Sequence, residues 1–145
     1  MQFDFYDVIA VISAYLIGNI SPAIILGKMS GIDIKKEGSG NAGTTNALRV
    51  LGKKAAVITL VVDILKGVLA VQLGMLCGYE AGALCALAVF CGHIWPCLYK
   101  FKGGKGVATA FGALLSINWM LALSALAIVA CGLLISKRMS VGSLL

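Results

Sequence analysis

Apolar residues come in long unbroken blocks rather than in the one-sided or alternating patterns of soluble elements. Residues 8–26 carry no charge between Asp7 and Lys28, residues 55–76 are broken only by Asp63 and Lys66, and 81–99 form a third block. A membrane helix needs roughly 20 mostly apolar residues to cross the hydrocarbon, so each block predicts a span. From 107 to 136 no charge occurs at all, but Ser116, Ile117, Asn118 and Trp119 make a polar, interface-like interruption. That pattern predicts a short span over 107–115, a turn, and a second span over 120–135. The fold class expected is an all-α integral membrane protein, a polytopic helix bundle of four to five transmembrane segments. No Lys or Arg precedes the first block, so it does not read as a cleaved signal peptide.

Composition agrees. Hydrophobic residues make up 60% of the chain and charged ones 12%, with a mean hydropathy of +0.98. A soluble domain carries about 25% charged residues, and a disordered chain needs high charge and few large apolar residues. Both are excluded.

The few charges are lopsided, 12 Lys+Arg against 6 Asp+Glu, a net +6. Lys28, Lys35, Lys36, Arg49, Lys53 and Lys54 lie between the first two blocks, and Lys100, Lys102 and Lys105 follow the third. The N-terminal tail has no positive charge, and the 76–81 connection has only Glu80. Positive loops mark the cytoplasmic side, which places the N-terminus outside and both basic loops in the cytoplasm. Lys137 and Arg138 join them if the 107–136 stretch turns back. Ser140–Leu145 reads as the opening of another hydrophobic segment.

The first basic loop contains Gly38-Ser39-Gly40-Asn41-Ala42-Gly43-Thr44-Thr45-Asn46-Ala47-Leu48-Arg49. Its glycines permit sharp turns that expose backbone amides. Ser39, Asn41, Thr44, Thr45 and Asn46 add neutral hydrogen-bonding groups, and Arg49 offers a planar fork for phosphate or carboxylate. A second helix opening at Thr45 or Asn46 would turn its positive dipole end toward the loop. The alternative is a flexible glycine-rich connection with a solvated charge run. Gly38–Gly43 also spells G-x-G-x-x-G, with Asp63 beyond it, but that dinucleotide fingerprint needs a βαβ unit, and Asp63 falls inside a predicted span.

In the second loop, Lys105 stands among Gly103, Gly104 and Gly106 at a helix start. It is not a Walker A loop, because no Ser or Thr follows the lysine, yet amides plus one lysine still make an anion cradle. Topology alone accounts for Lys100 and Lys102; it leaves the glycines around Lys105 unexplained.

Asp63 and Lys66, three apart, share a helix face. They form either an ion pair anchoring the second span or a device orienting the first loop. His93, the one histidine, either lines the site or is satisfied by packing. Cys91, His93 and Cys97 lack the further ligand a zinc site needs, so no metal is expected. The cysteines read as small buried hydrophobes. Nucleic acid is not an expected partner, because neither loop has an aromatic stacking platform.

With these motifs in hand, the chain resembles the bacterial glycerol-3-phosphate acyltransferases that use acyl phosphate. Gly38–Asn46 with Arg49 and Leu51-Gly52-Lys53-Lys54 look like that family's first signature. Asp63-Ile64-Leu65-Lys66-Gly67, Gly92-His93-Ile94-Trp95-Pro96 and residues 102–109 follow in its order. The resemblance implies a multi-pass enzyme of the bacterial inner membrane, with cytoplasmic active-site loops, that makes lysophosphatidic acid from acyl phosphate and glycerol 3-phosphate without a cofactor. By motif match, Ser39, Arg49 and Lys105 would be the catalytic phosphate ligands. Gly40, Asn41, Gly43, Thr45, Asn46, Gly103, Gly104, Thr109 and His93 would make up the surrounding substrate-binding positions. The family continues to a third motif rich in His, Arg, Asn and Glu. The expectation is therefore a single transmembrane acyltransferase domain over 1–145, C-terminally incomplete relative to the family. A non-catalytic or transport-type phosphate-binding module is the competing reading, since glycine-rich loops at broken helices also build transporter sites.

Overall fold

The computed structural model describes residues 4–136, the side chains of 133–136 excepted. Lys137, Arg138 and Ser140–Leu145, to which the sequence assigned a cytoplasmic end and a further segment, lie outside the described residues. Every regular element among the described residues is helical: α1 (Phe5–Gly18), α2 (Pro22–Met29), α3 (Thr44–Val50), α4 (Lys53–Met75), α5 (Tyr79–Ile94), a 3-10 turn (Cys97–Tyr99), α6 (Val107–Ile117) and α7 (Trp119–Ser136).

The first apolar block is not one helix. It breaks at residues 19–21, and α1 and α2 meet at a 41° bend. Pro22 opens α2, where its missing N–H costs nothing. Asn19 fastens the break: it is fully buried, its Nδ2 donates to Tyr15 O at 2.7 Å, and its Oδ1 accepts the Leu98 N–H at 3.2 Å. The 107–136 stretch divides at Asn118, as its polar interruption predicted. The Asn118 side chain accepts the amides of Met120 and Leu121 at 2.9 and 3.3 Å and so caps α7.

Two helices, Lys53–Met75 and the segment Tyr79–Tyr99, are long and apolar enough to cross a membrane, and the bent α1–α2 pair makes a third if it is one span. The sequence pattern predicted four to five. The difference lies in the last two helices: α6 and the Trp119–Gly132 part of α7 are apolar but shorter than a span, the 11 residues of α6 reaching about 16 Å at 1.5 Å per residue, roughly half the hydrocarbon thickness.

The bundle is held by close backbone crossings. A Cβ at Gly67 on α4 would overlap Thr109 O, and one at Gly112 on α6 would overlap Ile64 O. Gly18 on α1 and Gly92 on α5 are matched in the same way, against Val89 O and Tyr15 O. Lipid supplies no hydrophobic drive between helices, so small residues that admit close approach carry much of the packing. Ala10, Ala14, Ala70, Val71, Cys85, Val89 and Ala113 form the core between these crossings. A second cluster, Ala23, Ile24, Ile34, Ala42 and Ala47, with Leu51 and Tyr99 packed against it, seats both basic loops on α2 and α3.

Replacing Gly112 by Leu should force α4 and α6 apart and cost about 1–3 kcal/mol or more. A fall in thermal unfolding midpoint in detergent checks this, with Leu115→Ala, at an exposed position, as the near-neutral comparison.

Candidate active site

The first loop is built around Asn46. This side chain is fully buried and spends all its polar atoms on the loop. Its Oδ1 accepts the Ser39 N–H at 2.9 Å, and its Nδ2 donates to Ile34 O and Glu37 O, each at 3.1 Å. Gly38 has a positive φ of 58°, and a Cβ there would overlap Asn46 Oδ1, so the glycine is required both by conformation and by space. The Gly40 N–H is taken by Glu37 O at 3.0 Å. Gly43 caps α3, and its carbonyl accepts the Ala47 N–H at 3.0 Å. Asn41 and Thr45 are half-buried; Ser39 and Arg49 are exposed. The helix start facing this loop is that of the 7-residue α3, which opens at Thr44, one residue before the Thr45 or Asn46 start considered from the sequence. The chain breaks again at Gly52, whose φ is 88°, before α4 begins. Fewer aligned peptide dipoles therefore face the loop than the sequence implied.

The second loop folds back over the end of α5. The Gly103 N–H donates to Ile94 O at 2.9 Å and the Gly104 N–H to His93 O at 3.2 Å. These amides satisfy carbonyls that α5 leaves without partners, so they are not available to an anion as the sequence reading supposed. The glycines are needed for proximity instead. A Cβ at Gly103 would overlap His93 O, and one at Gly104 would overlap His93 Nε2 and stand 3.0 Å from Ala42 O. Lys100 and Phe101 hold left-handed backbone, with φ of 56° and 58°, pinned by the Phe101 N–H to Pro96 O bond at 2.9 Å. Lys105 is exposed, one residue before Gly106 caps α6.

The two loops touch. Lys35 Nζ donates to Gly103 O at 3.1 Å. Burial pushes the Lys35 amine below its usual value, the neighbouring Lys102 charge adds to this, and Asp33 opposes it. An anion beside Lys35 and Lys102 would relieve that strain.

Beneath the loops lies a buried polar cluster. Lys66 Nζ is 2.7 Å from Asp63 Oδ1, with side chains 3% and 2% exposed; the contact is charge against charge, because that oxygen receives no well-directed hydrogen bond. The same ammonium donates to Ile20 O at 2.6 Å and to His93 Nδ1 at 2.7 Å. Thr109, fully buried, places its hydroxyl 3.2 Å from His93 Nδ1. The ion pair foreseen between Asp63 and Lys66 is therefore real, and it reaches His93 as well. Among the described residues no group of His, Cys, Asp and Glu that could hold a metal forms.

Direct contacts thus join Gly103, Gly104, His93 and Thr109, with Ser39 and Asn46 bonded on the neighbouring loop. Arg49 stands apart in the last turn of α3 and makes no hydrogen bond or ion pair among the described residues. Lys105 also lines an open cavity of about 220 Å³ whose other walls are apolar, including Phe90, Val107, Phe111, Leu114 and Leu126.

A family model described as "Glycerol-3-phosphate acyltransferase" matches residues 8–145. The chain belongs to the glycerol-3-phosphate acyltransferase family. Among its relatives, the glycerol-3-phosphate acyltransferase of Thermoanaerobacter pseudethanolicus is 49% identical over 141 residues, 96% of this chain and 71% of that one. The Clostridioides difficile enzyme is 46% identical over 151 residues, 99% and 74% of the two chains. The crystal structure of PlsY, an integral membrane glycerol 3-phosphate acyltransferase, in its glycerol 3-phosphate form superposes with a TM-score of 0.88 at 35% identity, covering 94% of this chain and 70% of that one. Its lysophosphatidic acid form gives 0.85 at the same identity. This family chain is accordingly an acyltransferase and a multi-pass membrane protein, and a transport-type module is not favoured.

Two residues of the site and one contact escaped the sequence. Lys35 was absorbed into the positive-inside count, and nothing in its neighbours marks it. Asn19 had a signal, a lone amide before Ser21-Pro22 inside an apolar block. Lys66 was paired correctly with Asp63, but no spacing rule leads from there to His93.

Asn46→Ala should remove three loop hydrogen bonds and cost about 3 kcal/mol at roughly 1 kcal/mol each. Faster proteolytic nicking within residues 31–43, with α4 and α5 still protected, checks it; unchanged nicking contradicts it.

Proposed function

We propose that this acyltransferase takes its acyl group from an acyl phosphate and transfers it to glycerol 3-phosphate, giving lysophosphatidic acid. The observation that carries this is Lys105: a cation within the second glycine-rich loop that lines an otherwise apolar cavity. A charged head against apolar walls matches an amphiphile whose phosphate stays in water while its chain enters lipid-facing space. Ser39, Arg49 and Lys105 are the phosphate ligands in this reading. Gly40, Asn41, Gly43 and Thr45 shape the first loop around them, Asn46 braces it from below, and Gly103, Gly104, Thr109 and His93 shape the second.

The donor is a mixed anhydride, so no protein nucleophile is required. A glycerol hydroxyl oxygen attacks the acyl carbon, the acyl C–O bond to phosphate breaks, and the hydroxyl proton passes to the departing phosphate. The protein orients both substrates and stabilises charge on the leaving group, work suited to arginine and lysine. No cofactor enters. Both basic loops face the cytoplasm from the bacterial inner membrane, with the N-terminus outside, by the charge asymmetry of the loops. Residues 1–145 act as one transmembrane unit.

The test is purified protein in proteoliposomes given a long-chain acyl phosphate and labelled glycerol 3-phosphate. Labelled lysophosphatidic acid is expected, with none from acyl-CoA. Lys105→Ala and Arg49→Ala should each lower kcat/KM about 10- to 100-fold, the range for losing a hydrogen bond to a charged group. Product formation indifferent to both substitutions would sink the assignment. Ala125→Trp, narrowing the apolar cavity, should shift preference toward shorter acyl phosphates; an unchanged chain-length profile would show that the tail lies elsewhere.

A further inference from the structure

We infer that the buried Asp63–Lys66 pair is a positioning device that fixes the tautomer of His93, so that its Nε2–H is the hydrogen-bond donor presented to the phosphate in the loop cradle. This rests on the reading of that cradle as the donor-phosphate site.

The argument begins at Lys66. Its ammonium lies 2.7 Å from the Asp63 carboxylate and donates to His93 Nδ1 at 2.7 Å. A ring nitrogen that accepts a hydrogen bond carries no proton, and a neutral imidazole then bears its one proton on the other nitrogen. The competing arrangement, Nδ1–H donating to Asp63, has a 3.5 Å separation to bridge, too long for a good bond. The Thr109 hydroxyl at 3.2 Å supplies a second donor to the same nitrogen.

Nε2 lies where the reaction needs it. His93 is 5% exposed, and Nε2 makes no hydrogen bond among the described residues. It sits against Gly104, where any Cβ would overlap it, one residue before Lys105. Glycine at 104 is what leaves this nitrogen uncovered. A neutral N–H held in that place gives a directed bond to a phosphate oxygen, and the bond strengthens as the leaving group gains charge.

His93 is the one histidine in the chain, so histidine-selective 15N labelling of the intact protein in nanodiscs reads a single imidazole. At pH 7 an unprotonated Nδ1 and a protonated Nε2 are expected, with the Nε2 signal moving saturably as inorganic phosphate is added. An Nδ1–H tautomer, an imidazolium, or a signal indifferent to phosphate overturns the proposal. Asp63→Leu with Lys66→Met, which leaves only Thr109 beside Nδ1, should give a mixture of tautomers. In acyl transfer, His93→Gln, whose amide nitrogen reaches about as far as Nε2, should keep most of kcat. His93→Asn, which reaches only as far as Nδ1, should lower kcat about 10- to 100-fold; equal losses in the two variants refute the donor role. If the double variant does not fold, the intact spectrum and the His93 pair still decide. Absence of acyl transfer from the unsubstituted protein, with the expected tautomer present, would refute the proposed activity and not the tautomer.

Discussion

An ammonium group deep in an apolar helix must find acceptors or lose its charge, and Lys66 finds them on three different elements. Insertion scales put a lone lysine or aspartate at the centre of a span at about 2.5–3.5 kcal/mol. Asp63 answers from one turn earlier on α4, Ile20 from the break between α1 and α2, and His93 from α5. The break in the first block thereby acquires a physical reason. A continuous helix would keep the Ile20 carbonyl in its own ladder; the Asn19–Pro22 interruption releases it toward Lys66. Thr109 on α6 closes the cluster through the same imidazole.

From that centre the site is assembled outward by close approach. Gly67 and Gly112 bring α4 and α6 into backbone contact, and Gly18 and Gly92 do the same for α1 and α5. The end of α5 is then capped by amides of the second loop, and Lys35 ties that loop to the first. Glycine-rich loops near a phosphate invite the assumption that their amides bind it. Here Gly103 and Gly104 spend their amides on the scaffold, bonded to Ile94 O and His93 O at the end of α5.

Much of this was legible in the sequence because membrane burial leaves few alternatives. The apolar blocks predicted the long α4 and α5, and the Ser116–Trp119 interruption predicted the division at Asn118. Asp63 and Lys66 at helical spacing predicted their pairing. The loops stood out by their glycines and lysines, but composition did not show that the Gly103 and Gly104 amides bond to the end of α5. What the sequence could not supply were contacts between distant segments. Hydrophobicity along 8–26 is continuous, so nothing but Asn19 and Pro22 warned of the bend. Asn46 looked like a ligand for substrate, yet burial turned its amide inward to brace the loop. His93 stood open between lining the site and being satisfied by packing. Its Nδ1 is bonded to the cluster, and its Nε2 is set against Gly104.

The dependence of the fold on the buried charge pair is most directly tested by a double-mutant cycle on Asp63→Leu and Lys66→Met, read as unfolding free energy in mixed micelles. Each single change should cost about 3–5 kcal/mol, since it strands one buried charge. The double change should cost far less than the sum, leaving a coupling well above the roughly 0.5 kcal/mol of independent sites. Small, additive losses would contradict the account, for the pair would then be a passenger rather than the point on which the helices converge.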